Sequence, residues 1–230
     1  KPNLRYVGYE INPVAILLSK LRLELLNVNY CIKEENVLSI EMNEQFDLVF
    51  SEYPWGVRPN DQIVSEKNGY VEYYNSKSKA DWAFINKAIN SLKENGKAIV
   101  LSSGAALFGL PDRQSREQVV NKKLLESIIT LPSGILPWTS VNSYLLIFSH
   151  DNDKVKFIDA SHCFEQKNKV KSLDVNDVLK LMNTVEDTEY IKHVANDIIE
   201  RNDFNLNVSN YIGDSDVELI NPHKLEEVAD

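Results

Sequence analysis

Glu52, Tyr53, Pro54, Trp55 and Gly56 follow directly on an apolar run, Phe46-Asp47-Leu48-Val49-Phe50-Ser51. A short apolar run bounded by turn formers reads as a buried strand. Open α/β sheets bind ligands outside the carboxyl ends of their strands, so an acid and two aromatic residues crowded there can serve a substrate. Pro54 biases Tyr53 away from the helical region. Gly56 lets the chain turn out of the strand. The result would be a stiff tip that sets a hydrogen-bond acceptor beside flat aromatic faces. Such a tip suits a flat, polar, π-rich substrate such as a nucleobase. The same stretch also reads as a strand end whose aromatics merely cap the core, and its residues support both readings.

A second acid, Glu10, ends another short strand, Arg5-Tyr6-Val7-Gly8-Tyr9-Glu10. Asn12 and Pro13 make a helix start, with Asn12 as cap and Pro13 in the first turn. Val14, Leu17, Leu18, Leu21 and Leu25 follow at helical spacing. A further strand is expected near Tyr30–Lys33, then a loop through Glu35, Asn36, Val37 and Leu38. Strands alternating with helices imply a parallel sheet covered on both faces. A doubly wound sheet has a first strand and a glycine-rich turn before its acid-tipped second strand. No such turn precedes Glu10, so residues upstream of Lys1 are expected to belong to the fold.

Residues 57–79 are polar and irregular. They interleave Arg58, Lys67, Lys77 and Lys79 with Tyr70, Tyr73 and Tyr74, and Asn68-Gly69 is a hairpin-turn signal. Basic groups among aromatics suit an unstacked nucleic-acid strand; a solvated excursion is the alternative. Asp81 is expected to cap a helix with Ile85, Ala88, Ile89 and Leu92 as its buried stripe, ending at Gly96. Lys97–Ser102 reads as a strand, and Ser102-Ser103-Gly104 as turn residues. A helix over Ser115–Leu125 and strands at Ser127–Leu131 and Val141–Phe148 follow, the last two as an antiparallel edge. Past His150 the chain turns polar. A lone strand at Val155–Ile158, a helix starting at Asp174, a helix near Ile191–Glu200 and an extended Asn205–Tyr211 are expected. This divides the chain into a main unit, 1–150, and a small α-rich extension, 151–230, for core packing or subunit contact.

The 230 residues allow one large domain or a domain plus an appendage, and 43% hydrophobic content is enough for a sizeable core. A net charge of −9 argues against a free-standing duplex-DNA binder, which needs basic residues to neutralise phosphates. Nucleic-acid contact would need a local patch or a basic partner. Cys31 and Cys163 do not suggest a disulfide framework. No Cys/His spacing suits zinc, and no metal is expected. No stretch is long enough to span a membrane and the amino end has no signal pattern. A cytoplasmic protein is expected.

These segments, in their order, resemble the modification (methyltransferase) subunit of type I restriction–modification systems, in the DNA adenine-N6 methylase family. Gly8-Tyr9-Glu10-Ile11-Asn12-Pro13 resembles the family's acid-tipped second strand. Asp47-Leu48-Val49-Phe50-Ser51-Glu52-Tyr53-Pro54-Trp55-Gly56 stands where the family has D-hydrophobic-N-P-P-F-G. Gly96-Lys97-Ala98-Ile99-Val100-Leu101 and Leu131-Pro132-Ser133-Gly134-Ile135 resemble later strands. Phe157-Ile158-Asp159-Ala160-Ser161 and the run Asn202–Tyr211 resemble its tail. The resemblance extends from near Lys1 to about Ile212, and the tail blocks favour the type I subunit over a stand-alone methylase.

The resemblance implies a Rossmann-like class I methyltransferase sheet lacking its first strand. It implies S-adenosyl-L-methionine as cofactor, with Glu10 accepting from the ribose hydroxyls, Ile11 packing on the adenine and Asn36 near the adenine amine. It implies DNA as substrate, with the target adenine flipped out of the duplex. Glu52 and the Tyr53 carbonyl would accept from the target amino group, with Pro54 in the tip and Trp55 stacking on the base. A specificity subunit and a second modification subunit would be partners. Three features depart from the family pattern: the glycine-rich turn is absent, Asn36 replaces an acid, and Glu52-Tyr53 replaces Asn-Pro. An ionised carboxylate is acceptor-only and can still take a hydrogen bond from an amine. The alternative to an enzyme is a methylase-like scaffold that binds partners through its tail; a methylase acting on RNA or protein is a third reading.

Overall fold

The computed structural model describes residues 4–58, 69, 71, 79–168 and 170–213. Strand β1 (Arg5–Glu10), helix α1 (Pro13–Leu25) and strand β2 (Asn29–Glu34) form the opening unit. The strands pair in parallel, from Arg5 against Asn29 to Glu10 against Glu34. The Asn12 side-chain oxygen accepts from the backbone N–H of Val14 at 2.9 Å and of Ala15 at 3.3 Å. These are donors that the first turn of a helix leaves without intrahelical partners. Replacing Asn12 with alanine should therefore cost about 1 kcal/mol, read as a lower urea midpoint at unchanged slope.

The apolar stripe expected to bury α1 does not do so. Leu17 is 67% exposed and Leu25 79%, and Ile16 is the helix's buried residue. Helical periodicity identifies a face; it does not supply the surface that covers it. Among the described residues, β1 has a partner strand on one side only.

Next come β3 (Phe46–Glu52), α2 (Asp81–Asn90), β4 (Leu92–Ser103), α3 (Ala105–Phe108), α4 (Arg113–Asn121), β5 (Leu125–Thr130) and β6 (Ser143–Phe148). The tail adds β7 (Lys154–Asp159), β8 (Phe164–Lys167), β9 (Val170–Leu173), α5 (Val175–Asn183), β10 (Ile191–Ala195) and α6 (Asn196–Arg201). Six of these strands form one sheet in the order β10-β7-β5-β6-β4-β3. The pairs β3/β4 and β5/β7 are parallel, whereas β6 runs antiparallel between β4 and β5, and β10 antiparallel to β7. The carboxyl ends of β3, β4, β5 and β7 thus share one edge.

Several sequence expectations are corrected here. The β5–β6 pair is not an outer edge but lies in the middle of the sheet. The strand expected to stand alone is β7, held between β5 and β10. The helix expected from Ile191 is a strand up to Ala195 and becomes helical only at Asn196. Residues 208–210, expected to be extended, form a single 3-10 turn. The α2 helix stops at Asn90, and Gly96 lies within β4. A Cβ there would come 2.7 Å from the Phe46 carbonyl oxygen, so the close approach of β4 to β3 is what requires glycine.

Alternation along the strands sends side chains to opposite faces, and both faces are covered except along the edge strand β3. On one, Ala98, Val100, Ile128, Leu146 and Phe157 meet Trp82, Ile85 and Ile89 of α2 and Val119 and Val120 of α4. Ile199, Phe204 and Leu206 join this core from the tail. On the other face Leu101, Ile129, Ile147 and Ile158 meet Val178 of α5 and Ile191. Arg116 is buried, donating to the carbonyls of Phe204 and Gly109 at 2.8 Å each. Burial pushes its guanidinium down to about 10. Residues after His150 therefore build the same sheet and core. No helix among the described residues is long and apolar enough to cross a membrane.

Candidate active site

The parallel register brings Glu52, the last residue of β3, beside Leu101 of β4. The chain leaves the strand there, and four of the following five residues are held by β4, by α2 or by Ala80 just before α2. The Glu52 side chain is exposed at the strand end. Tyr53 is 5% exposed, with its hydroxyl 2.7 Å from the Ser102 Oγ. Its ring stacks on Phe84 of α2, with centroids 5.3 Å apart and planes 9° from parallel. Burial, and then the neighbouring Asp81 carboxylate, push the phenol far above its ordinary range. One of the two aromatic faces expected for the substrate is thus turned into the core. What Tyr53 keeps for chemistry is its backbone carbonyl.

Trp55 is half-buried, and its indole N–H donates to the Leu101 carbonyl at 3.2 Å. The ring is anchored at one edge to β4 and packs on the cores of both sheet faces. Pro54 is exposed between them. Gly56 has φ +70°, a left-handed backbone that suits glycine, and its N–H donates to Asp81 Oδ1 at 3.4 Å. The Ala80 N–H then donates to the Val57 carbonyl at 2.8 Å, closing the neck of the excursion between residues 57 and 80. Arg58 and Lys79 flank that excursion and are exposed. The remaining basic and tyrosine residues proposed there for nucleic-acid contact, Lys67, Tyr70, Tyr73, Tyr74 and Lys77, lie outside the described residues.

Asp81 and Ser102 were assigned by their sequence context to a helix cap and a turn. Neither serves that way. The N-cap position of α2 is Ala80, with no side-chain cap, and the Asp81 carboxylate, 3% exposed, turns to the tip instead. Ser102 is fully buried against Tyr53. An acid directly before a helical stripe signals a cap equally well; the β3–β4 register reveals the Ser102 contact, and the packing of α2 beside the tip reveals that of Asp81.

Glu10, Ile11 and Asn36 lie on the other unit, at the carboxyl ends of β1 and β2. Glu10 Oε1 accepts from the N–H groups of Ile11 at 2.7 Å and Asn12 at 2.8 Å. This fixes the carboxylate at the entrance to α1 through one of its two oxygens. The Ile11 side chain is 66% exposed beside it. Asn36 Oδ1 accepts from the Leu38 N–H at 3.1 Å, capping a 3-10 turn. A carboxamide oxygen can accept a second bond, and its nitrogen can donate. Leu38 then packs against Ala80 and Ala83, and Lys87 donates to the Ile40 carbonyl, docking this unit on α2. An Arg5–Glu44 ion pair at 3.3 Å adds a surface tie.

Among the described residues β1 and β3 each have a free edge, and no strand joins their sheets. Leu48 and Phe50 on one face of β3 are 63% and 64% exposed. A parallel strand is normally buried on both faces. A separate cleft of about 400 Å³ opens between Tyr9, Lys33 and Glu44 and includes neither Glu10 nor Glu52. Among the described residues no group of His, Cys, Asp and Glu could hold a metal ion.

Comparison with known proteins agrees with this arrangement. A family described as N-6 DNA Methylase matches residues 1–219. The type I restriction enzyme MjaVIII methylase subunit of Methanocaldococcus jannaschii is 30% identical over 95% of this chain and 43% of its own length. The type I restriction enzyme MpnII methylase subunit of Mycoplasma pneumoniae is 24% identical over 98% of this chain and 47% of its own. The chain thus spans less than half the length of both relatives. The crystal structure of a type I restriction-modification methyltransferase subunit from Streptococcus thermophilus superposes with a TM-score of 0.81 at 19% identity, covering 93% of this chain and 55% of that one. A family match along nearly its whole length and these relatives together make the chain a member of the N-6 DNA methylase family.

Proposed function

We propose that this chain carries the base-accepting half, and part of the cofactor cradle, of a type I modification subunit that methylates adenine N6 in DNA. The observation that carries this is an acid at the carboxyl end of each of two strands, Glu10 on β1 and Glu52 on β3, which belong to separate sheets and each keep a free edge among the described residues. S-adenosyl-L-methionine supplies the electrophilic methyl group. The residues present fit its adenosine part. Glu10 offers one carboxylate oxygen to ribose hydroxyls while backbone N–H groups hold the other. Ile11 offers an exposed apolar surface to the adenine, and Asn36 a carboxamide to its amine.

On the substrate side, Glu52 and the Tyr53 carbonyl accept from the target amino group. Two acceptors hold the amine in the geometry of attack and concentrate electron density on its nitrogen. As that nitrogen bonds carbon it becomes positively charged, and a carboxylate at position 52 can take the proton it sheds, which an asparagine cannot. Trp55, pinned by its N–H to β4, offers a rigid ring edge against the flipped base. DNA, a specificity subunit and a second modification subunit are the partners this reading requires, in the cytoplasm. Among the described residues β1 and β3 keep the free edges that a strand between them would pair with.

Calorimetry of S-adenosylmethionine on this chain and on the longest native form of its gene product tests the reading. The longer form should bind, and this chain should bind weakly or not at all. Tight binding by this chain would overturn the split cradle. No binding by either would leave a methylase-like scaffold.

A further inference from the structure

One buried carboxylate touches the tip at two points. Asp81, 3% exposed in the first turn of α2, accepts from the Gly56 N–H at 3.4 Å and lies against the Tyr53 hydroxyl. The positive end of the α2 dipole favours a negative charge at that position. Tyr53 is locked further by Ser102 at 2.7 Å and by its stack on Phe84. Among the described residues Glu52 has no such support on its own side chain; its position is set by the residues that follow it. We propose that Asp81 is a positioning residue for the active-site tip, holding Gly56 and facing Tyr53 so that the acceptor atoms of residues 52 and 53 are fixed relative to each other.

The tip has a reason to need this. A hydrogen-bonding pair can favour attack only if both acceptors meet one amino group at once. A displacement of about 1 Å at such a site lowers a rate by about 100-fold. The peptide between the strand and Gly56 contains Pro54, which lacks an N–H and so cannot be tied to the sheet through its own backbone donor. Tethers must therefore come from either side of it, and Asp81 reaches both. It also stands beside the Val57–Ala80 closure, so the excursion between residues 57 and 80 begins and ends on the same anchored point.

This inference rests on the proposed methyl transfer, and its test separates the two. Asp81→Asn and Tyr53→Phe are made in the longest native form, assembled with its partner subunits. Tritiated S-adenosylmethionine and unmethylated genomic DNA are the probes. Asp81→Asn keeps size and loses charge; kcat should fall by about 100-fold while cofactor affinity stays within about twofold. Tyr53→Phe should lower kcat by about tenfold, and the double variant should lose less than the product of the two. A kcat close to wild type in either single variant would overturn the role, as would equal losses of kcat and of cofactor affinity. Should the wild-type protein transfer no methyl group, the functional reading fails and the tether is judged by amide exchange in this chain. The Gly56 N–H should then exchange at least about tenfold faster in Asp81→Asn, and an unchanged rate would overturn the tether.

Discussion

Glu52→Ala in the longest native form should lower methyl transfer by about 100- to 1000-fold, the usual range for removing one preorganised polar group from a reacting centre. The carboxylate stands exposed at the end of β3, fixed by the β3–β4 register and by the anchored residues after it. Its removal deletes an acceptor from the target amine and leaves the Tyr53 carbonyl alone to orient it. Cofactor affinity should not change, because Glu10, Ile11 and Asn36 lie on the other unit. Glu52→Asn should retain more activity than the alanine variant, since a carboxamide oxygen still accepts. Steady-state rates on unmethylated DNA, alongside cofactor binding, check this. An alanine variant that transfers methyl at the wild-type rate would remove Glu52 from the site.

Trp82→Ala should cost about 3–5 kcal/mol, against a total stability of about 5–15 kcal/mol for a domain of ordinary stability. The indole is fully buried among the residues of α2, β4 and α4. Its N–H donates to the Ala106 carbonyl at 2.9 Å, so truncation leaves both a cavity and an unsatisfied acceptor. That bond ties the start of α2, next to Asp81, to α3. The loss should appear as a lower urea midpoint with the slope retained. A change below about 1 kcal/mol would mean that the site collapses around the cavity, and that the packing described here is looser than its burial implies.

Much of the architecture is legible residue by residue. Asn12 with Pro13, and Asp174 before Val175, mark helix starts, and both side chains accept from the first-turn N–H groups. The apolar runs at Phe46 and Lys97 become neighbouring strands. The order of acid-tipped strand, tip and tail blocks is enough to point to the methylase family. These signals are local: they depend on side-chain period, on caps and on proline and glycine, which act within a turn or a strand.

Other features depend on residues far apart in the chain, and only the tertiary structure decides them. Tyr53 is as apt for a substrate as for the core until Ser102, 49 positions away, is seen to meet its hydroxyl. Asp81 has the sequence context of a cap, but Gly56, 25 positions away, takes its carboxylate. The stripe on α1 has the spacing of a buried face, yet burial needs an opposing surface that no periodicity contains. The placing of β6 between β4 and β5 likewise follows from which edges pair, not from any property of Ser143–Phe148. Sequence by itself determined most of the segments that become strands and helices and named candidate residues for the chemistry. The tertiary structure decided which of them face a substrate, because that choice is made by long-range pairing and burial.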